Sequence, residues 1–363
     1  MVNGNSLQSL RRLRSYVRAA ALLLPLMAAT GAVADLIKKE DMLRGVTMTH
    51  AQCAAVNQAV WVKVDGREFC VRYYLSTAGG EGARPVVFLQ GDKLGAIDPK
   101  TWTWKNRSEA KDVDTEHLME MANGFSKLAK TTAIYLARIG VDGSSGNHSS
   151  RKTVLELDLM NAALDAIKQR YGFKGFHLAG QSGGATLVGS LIGVRNDIVC
   201  AAPGSGRLAA LADYKPQPDL GRTFFDPSAS IALLARKPAL RILVVTDPAD
   251  KTVPAKYQST FVRKLRQAGG HAEQLFVEAT DEDHHGVVEY TRLAIAGCVL
   301  GKPDAEIARA VSTVARKNAD WNAVRAAEAR TKAPTGTVAS QQPGTSTRSI
   351  PGAAPARRPG NPA

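Results

Sequence analysis

Between Arg84 and Leu300, short apolar runs alternate with segments of helical period, and this alternation limits the fold more than any other feature of the chain. The runs are Arg84–Gly91, Thr132–Leu136, Phe176–Ala179, Ile198–Ala202, Arg241–Thr246 and Gln274–Ala279. A short apolar run bounded by turn residues reads as a buried strand, and strands separated by helices read as crossover units. The predicted class is therefore α/β, a mainly parallel twisted sheet flanked by helices. The clearest helix is predicted over Lys152–Tyr171, where Leu157, Met160, Leu164, Ile167 and Tyr171 follow 3,4,3,4 spacing and Gly172 supplies the stop. Others are expected after Ser182, over Ala255–Gly269 and over Val287–Leu300. Upstream, Ala59–Val64 and Arg67–Leu75 flank Asp65-Gly66, a hairpin signal that predicts an N-terminal β-hairpin extension.

The charge needs an explanation: 47 Lys and Arg stand against 33 Asp and Glu, a formal +14 on 363 residues. Residues 1–34 carry four arginines and no acid, residues 331–363 carry four cations and no acid, and the rest keeps +6. The excess is mostly terminal. With no aromatic-interleaved basic stripe, no nucleic-acid partner is expected. Apolar residues make up 44% and charged residues 22%, which excludes a disulfide scaffold or a wholly disordered chain.

Arg11, Arg12, Arg14 and Arg18 precede the apolar run Ala19–Ala29 and then Ala32-Val33-Ala34. This is the pattern of a secretory signal peptide over residues 1–34, with a mature chain starting at Asp35. The run is too short for a spanning helix and Pro25 and Gly31 interrupt it, so no stable membrane span is expected after cleavage. Export to the periplasm or beyond places Cys53, Cys70, Cys200 and Cys298 in an oxidising space. Cys53–Cys70 and Cys200–Cys298 are the expected pairs, with four buried thiols as the alternative. No C-x-x-C spacing is present, and neither metal nor cofactor is expected. Residues 35–78 form the hairpin extension, 79–302 the main domain, 303–330 a C-terminal helix, and 331–363 a basic tail too poor in large apolar side chains to order itself.

The chemistry centres on Phe176-His-Leu-Ala-Gly-Gln-Ser-Gly-Gly-Ala-Thr-Leu-Val-Gly-Ser-Leu-Ile192, which reads as strand, tight turn and helix. Its turn holds Gly180-x-Ser182-x-Gly184. A serine on such a corner is exposed at the strand end, and flanking glycines let neighbouring backbone pass close by. A weak nucleophile needs a base, and the base an orienting acid. Arg241–Thr246 runs into a loop with two carboxylates, Asp247 and Asp250, and the run Gln274–Ala279 leads into Thr280-Asp-Glu-Asp-His-His-Gly-Val-Val288.

In this chain order the sequence resembles the alpha/beta-hydrolase superfamily, in which serine is followed by an acid after a late strand and a histidine after the last. The resemblance covers roughly residues 85–300. It implies Ser182 as nucleophile and Asp250, in Asp250-Lys-Thr-Val-Pro254, as acid, with Asp247 as second choice. The histidine segment is similar to the D-E-D-H-G stretch of dipeptidyl peptidases, and Gly286 then favours His285 as base, with His284 second. Backbone N–H groups of Gly183 and Asp92 are the expected oxyanion donors, the latter in Leu89-Gln-Gly-Asp-Lys93, which matches the family's H-G-x turn with Gln90 in place of His. The Asp92 side chain is an alternative partner for a substrate amine.

The implied activity is an exported serine hydrolase acting on a small ester, or an exopeptidase or acylaminoacyl-type peptidase acting on a short peptide; a non-catalytic exported binding protein is the alternative from another class. Arg138, Asp142 and His148, in the loop after Leu136, are candidate readers of a polar substrate. Phe224, Phe225 and Pro227 are candidate apolar walls of a small lid over residues 203–236.

Overall fold

The computed structural model describes residues 36–97, 104–106, 110–209 and 225–332, with side chains of the last helix described to residue 320. The expected leader, Asp35, Phe224 and the expected tail beyond Lys332 lie outside the described residues. The chain opens with β1 (Leu36–Ile37), α1 (Lys39–Arg44), α2 (His50–Ala55), β2 (Ala59–Val64), β3 (Arg67–Ser76) and β4 (Val86–Leu89). Then come β5 (Gly95–Ile97), β6 (Trp104–Asn106), β7 (Val113–Asp114), α3 (Thr115–Ala129), β8 (Ala133–Leu136), α4 (Val154–Tyr171), β9 (Phe176–Gln181) and α5 (Gly183–Val194). It closes with β10 (Ile198–Gly204), α6 (Ile231–Leu234), β11 (Arg241–Thr246), α7 (Lys256–Gln267), β12 (Glu273–Phe276), α8 (Val288–Val299) and α9 (Asp304–Lys332).

Eight strands form one sheet in the order β12-β11-β10-β9-β4-β8-β3-β2. The six from β12 to β8 run parallel, while β3 pairs antiparallel with β8 (Tyr73↔Leu136 to Ser76↔Ala133) and with β2. The predicted hairpin therefore extends the sheet at one edge. Its turn, Asp65-Gly66, takes positive φ at both residues, the geometry that matches the twist of the flanking strands.

Alternate residues of each strand feed two cores. Val87 and Leu89 of β4 join Leu159, Leu164, Leu187, Val188 and Phe261 from α4, α5 and α7; Val86 and Phe88 join Leu118, Phe125, Tyr290 and Ile295 from α3 and α8. Helix α9 packs back on the second core through Ile307, Val311 and Ala315, and Asp304 at its start meets Arg241 and His271. The buried face of α4 is Glu156, Leu159, Met160, Ala163, Leu164 and Ile167; the predicted Met160, Leu164 and Ile167 lie on it, whereas Leu157 is only partly buried and Tyr171, at the helix end, is 42% exposed.

From β4 the chain crosses to β8 on one side, then returns to β9 on the other before moving outward through β10, β11 and β12. The direction of winding reverses between β4 and β9, and the crevice outside their carboxyl ends is where a sheet of this kind binds ligands. This strand order, with a Gly-x-Ser-x-Gly corner at the end of β9, is the alpha/beta-hydrolase fold.

The four cysteines form two disulfides, Cys53–Cys70 between α2 and β3 and Cys200–Cys298 between β10 and α8. Among the described residues no helix is long and apolar enough to cross a membrane.

Candidate active site

Ser182 stands between β9 and α5 with φ 53 and ψ −118, a conformation that side-chain-bearing residues rarely adopt. Such strain persists only where the surroundings enforce it. Here the Ser182 N–H donates to Gly204 O of β10 at 2.9 Å, and Thr186 N–H donates back to Ser182 O at 3.0 Å. Close approach explains the glycines: a Cβ on Gly184 would lie 2.1 Å from Leu89 O at the end of β4, and one on Gly183 would lie 2.5 Å from Asp92 Oδ1.

A cavity of about 900 Å³ opens over this corner, bordered by Gln181, Ser182, Gly183, the Gln90–Leu94 turn, Thr252, Val253 and His285. Its apolar wall is Met42, Leu94, Ala110, Val113 and Val141. That wall comes from α1, the segment between β4 and α3, and the loop after β8. Phe225 and Pro227, expected to line it, instead pack into the core, Phe225 with the α4 and α5 side chains and Pro227 against Gly189. Of residues 203–236, Arg207 reaches the cavity, and its guanidinium sits 4.4 Å above the Tyr257 ring.

The acid and base loops meet as two parallel pairs. His285 Nδ1 lies 2.9 Å from Asp250 Oδ2, and Asp250 Oδ1 accepts the Thr252 and Val253 N–H groups at 2.9 and 2.7 Å, which holds the carboxylate toward the ring. His284 Nδ1 lies 3.1 Å from Asp247 Oδ2. Among the residues bordering the cavity are Ser182 and His285, but neither His284 nor Asp247.

Two further carboxyl and amide groups fix His285. Asp281 accepts the His285 and Gly286 N–H groups at 3.0 and 2.7 Å; burial alone would raise its pKa, but these donors outweigh it and hold it below its ordinary value. Gln181 Nε2 donates to His285 O at 2.6 Å while its Oε1 accepts Val287 N–H at 3.3 Å. The residue before the nucleophile thus ties the elbow to the histidine loop. No pattern in the sequence marks it, because its partners lie more than a hundred residues away.

Asp92 is buried beside Gly183. Arg138 and Lys152 each lie 2.8 Å from its carboxylate and Arg151 lies 3.5 Å away. Burial would raise its pKa, but Lys152, Arg151 and Arg138 together hold it far below the usual carboxylate range. The carboxylate is therefore taken up by three cations, not presented to a substrate amine. Arg138 also grips Glu156 with two bonds of 2.8 and 2.9 Å and donates to Gln90 O at 3.1 Å, so one guanidinium fixes the turn that carries the Asp92 N–H. Charge-assisted, bidentate contacts of this kind are the strong ones.

The loop after β8 consequently reads differently from expectation. Arg138 and His148 are buried and do not border the cavity; Asp142 borders it, but its carboxylate accepts the Tyr135 hydroxyl at 2.5 Å and faces Lys93 at 3.4 Å. No group of three or more His, Cys, Asp or Glu placed to hold a metal ion occurs among the described residues.

No protein-family model matches the chain, and no curated protein matches it significantly. Solved structures similar to it include the esterase Est1E of Butyrivibrio proteoclasticus with bound ferulic acid, at 13% identity and TM-score 0.47, covering 67% of this chain and 99% of that one. Another is the Pyrococcus furiosus esterase Pf2001, at 12% identity and TM-score 0.47, covering 70% and 93%. A third is the Pyrococcus horikoshii acylaminoacyl peptidase, at 12% identity and TM-score 0.45, covering 67% of this chain but 40% of that longer one. The fold assignment rests on the strand order and elbow of this chain.

Proposed function

We propose that this protein is an exported serine hydrolase that cleaves a small carboxylic ester through an acyl-enzyme on Ser182. The observation that carries the reading is that a strained serine elbow and a histidine held by a buried aspartate border the same cavity. In this reading Ser182 Oγ attacks the acyl carbon while His285 Nε2 takes its proton. Asp250 holds the Nδ1–H, fixing the tautomer and stabilising the imidazolium. The negative charge on the former carbonyl oxygen is met by the N–H groups of Gly183 and Asp92, aided by the N-terminal end of α5. His285 then protonates the leaving alkoxide, and the same base activates the water that releases the acid.

An ester is favoured over a peptide with a free amine because the carboxylate packed against Gly183, Asp92, is neutralised by Arg138, Arg151 and Lys152. The leader-like N-terminus and the two disulfides support export.

The test uses the chain from Asp35 onward with a fluorophosphonate probe, then a panel of p-nitrophenyl esters and aminoacyl anilides. Covalent labelling at Ser182 with turnover of short esters, both lost in Ser182→Ala, is the expected result. Absence of labelling and of turnover would overturn the reading and favour a binding protein; unchanged esterase activity in Ser182→Ala would overturn Ser182 as the nucleophile.

A further inference from the structure

We infer that His284 and Asp247 form a positioning clamp that sets the orientation of His285 without touching substrate; this rests on the Ser182, His285 and Asp250 reading. Adjacent histidines reach different carboxylates on one loop: His285 Nδ1 to Asp250 and His284 Nδ1 to Asp247. The two carboxylates are not equivalent. Asp250 takes its backbone donors from its own loop, whereas Asp247 accepts Ala249 N–H on the acid loop at 2.7 Å and Ala279 N–H at the start of the histidine loop at 2.7 Å. Asp247 therefore bonds both loops at once, with the His284 ring as its third partner.

The backbone of His284 points the same way. Its φ is +54, the left-handed region that bulky side chains avoid, and its N–H closes a turn onto Asp281 O at 3.0 Å. A left-handed residue here turns the chain sharply between the two rings, so that one side chain anchors and the next faces the cavity. His285 borders that cavity and His284 does not, among the described residues, so any effect of His284 on turnover passes through His285. Small displacements of a general base are costly: about 1 Å of misplacement lowers rates on the order of 100-fold.

Three variants test this. His284→Ala removes the bond and keeps the strained backbone. His284→Gly removes the bond and accepts the backbone. His284→Asn accepts the left-handed conformation and offers its Nδ2 where the histidine Nδ1 was. The expected result is a fall in kcat for p-nitrophenyl acetate on the order of 10- to 100-fold in Ala, with KM within about twofold, and recovery of most of it in Asn. If Ala does not yield folded protein, Gly is read in its place. Wild-type kcat in Ala or Gly, or Asn as impaired as Ala, would overturn the clamp. So would loss of fluorophosphonate labelling in all His284 variants with labelling retained in His285→Ala, which would make His284 the base. Failure of the underlying reading is separate: it shows as no labelling of Ser182 in the unmodified protein.

Discussion

Gly184→Ala is the sharpest perturbation of the proposed oxyanion geometry, because it acts through backbone that no side-chain movement can relieve. The new Cβ would stand 2.1 Å from Leu89 O and 2.6 Å from Gln90 O, against the 3.4 Å at which ordinary contact begins. Relief therefore demands that α5 and the end of β4 separate by about 1.3 Å at the closest atom, a distortion that costs roughly 1–3 kcal/mol or more in a packed interior. Leu89 is paired with Gly180 in the sheet, so the strand end cannot move alone. The residues displaced are those that lead to Asp92, whose N–H must stay aimed at the same point as that of Gly183. Misplacement by this distance predicts a loss in kcat on the order of 100-fold. Thermal unfolding gives the first quantity, and p-nitrophenyl acetate hydrolysis with the rate of fluorophosphonate labelling gives the second. A variant with the unmodified midpoint and kcat within twofold would refute the idea that the approach of β4 to the elbow shapes the oxyanion site.

Met42→Ala removes a buried side chain from the apolar wall, so the optimum acyl length on a series of p-nitrophenyl esters shifts upward, and an unchanged optimum would place the acyl group elsewhere. His177, buried in β9, has its pKa held down to about 4 by burial and then by the charge of Arg84. The folded chain thus stays neutral where the unfolded chain, near 6.5, takes up a proton, and the stability this position contributes is full above about pH 6.5 and falls as pH drops toward 4. His177→Gln should flatten the melting temperature between those values relative to the unmodified protein. The Cys200–Cys298 bridge closes a loop of sequence separation 98 and Cys53–Cys70 one of 17, so loop entropy assigns about 4.7 and about 3 kcal/mol to them. Denaturant unfolding of the two paired Cys→Ala variants should preserve that ranking.

What the sequence showed most clearly was local. The elbow, the alternation of strands and helices and the Asp65-Gly66 turn each depend on residues within a few positions of one another, and each appears in the structure at or within a few residues of the expected place. The face of α4 was legible at Met160, Leu164 and Ile167 and departs from the predicted stripe only at its two ends. A strict 3,4,3,4 pattern has period 3.5, and against a helix of 3.6 it drifts roughly 20° per heptad. At about 100° per residue that drift carries the stripe from Leu157, which stands to the side of the buried set, onto the buried face by Ile167; Tyr171 is exposed because it ends the helix, with its hydroxyl on Tyr73.

The rest was hidden because it consists of contacts across the chain. Arg138 looked like a substrate reader because an arginine in a glycine-rich loop at the active edge has no local partner. Its partners, Asp92 and Glu156, lie 46 positions before and 18 after it. Met42 sits in a six-residue helix whose composition says nothing about a cavity. It becomes a wall because β1 pairs with β7 and Val46 bridges Gly146, bringing the N-terminal segment over the crevice. The same topology gives both features a common consequence. At a switch point the connections leaving β4 and β9 turn to opposite faces of the sheet, and the crevice between them is filled by whatever segments lie nearest. In this chain those are a buried ion network on one side and an N-terminal helix on the other. The nucleophile end is therefore set by charges that a single substitution would leave unpaired, whereas the apolar wall is set by side chains that can be exchanged for others of similar volume. Substrate range should accordingly vary through Met42, Leu94, Val113 and Val141 far more readily than through Asp92, Arg138 or Glu156.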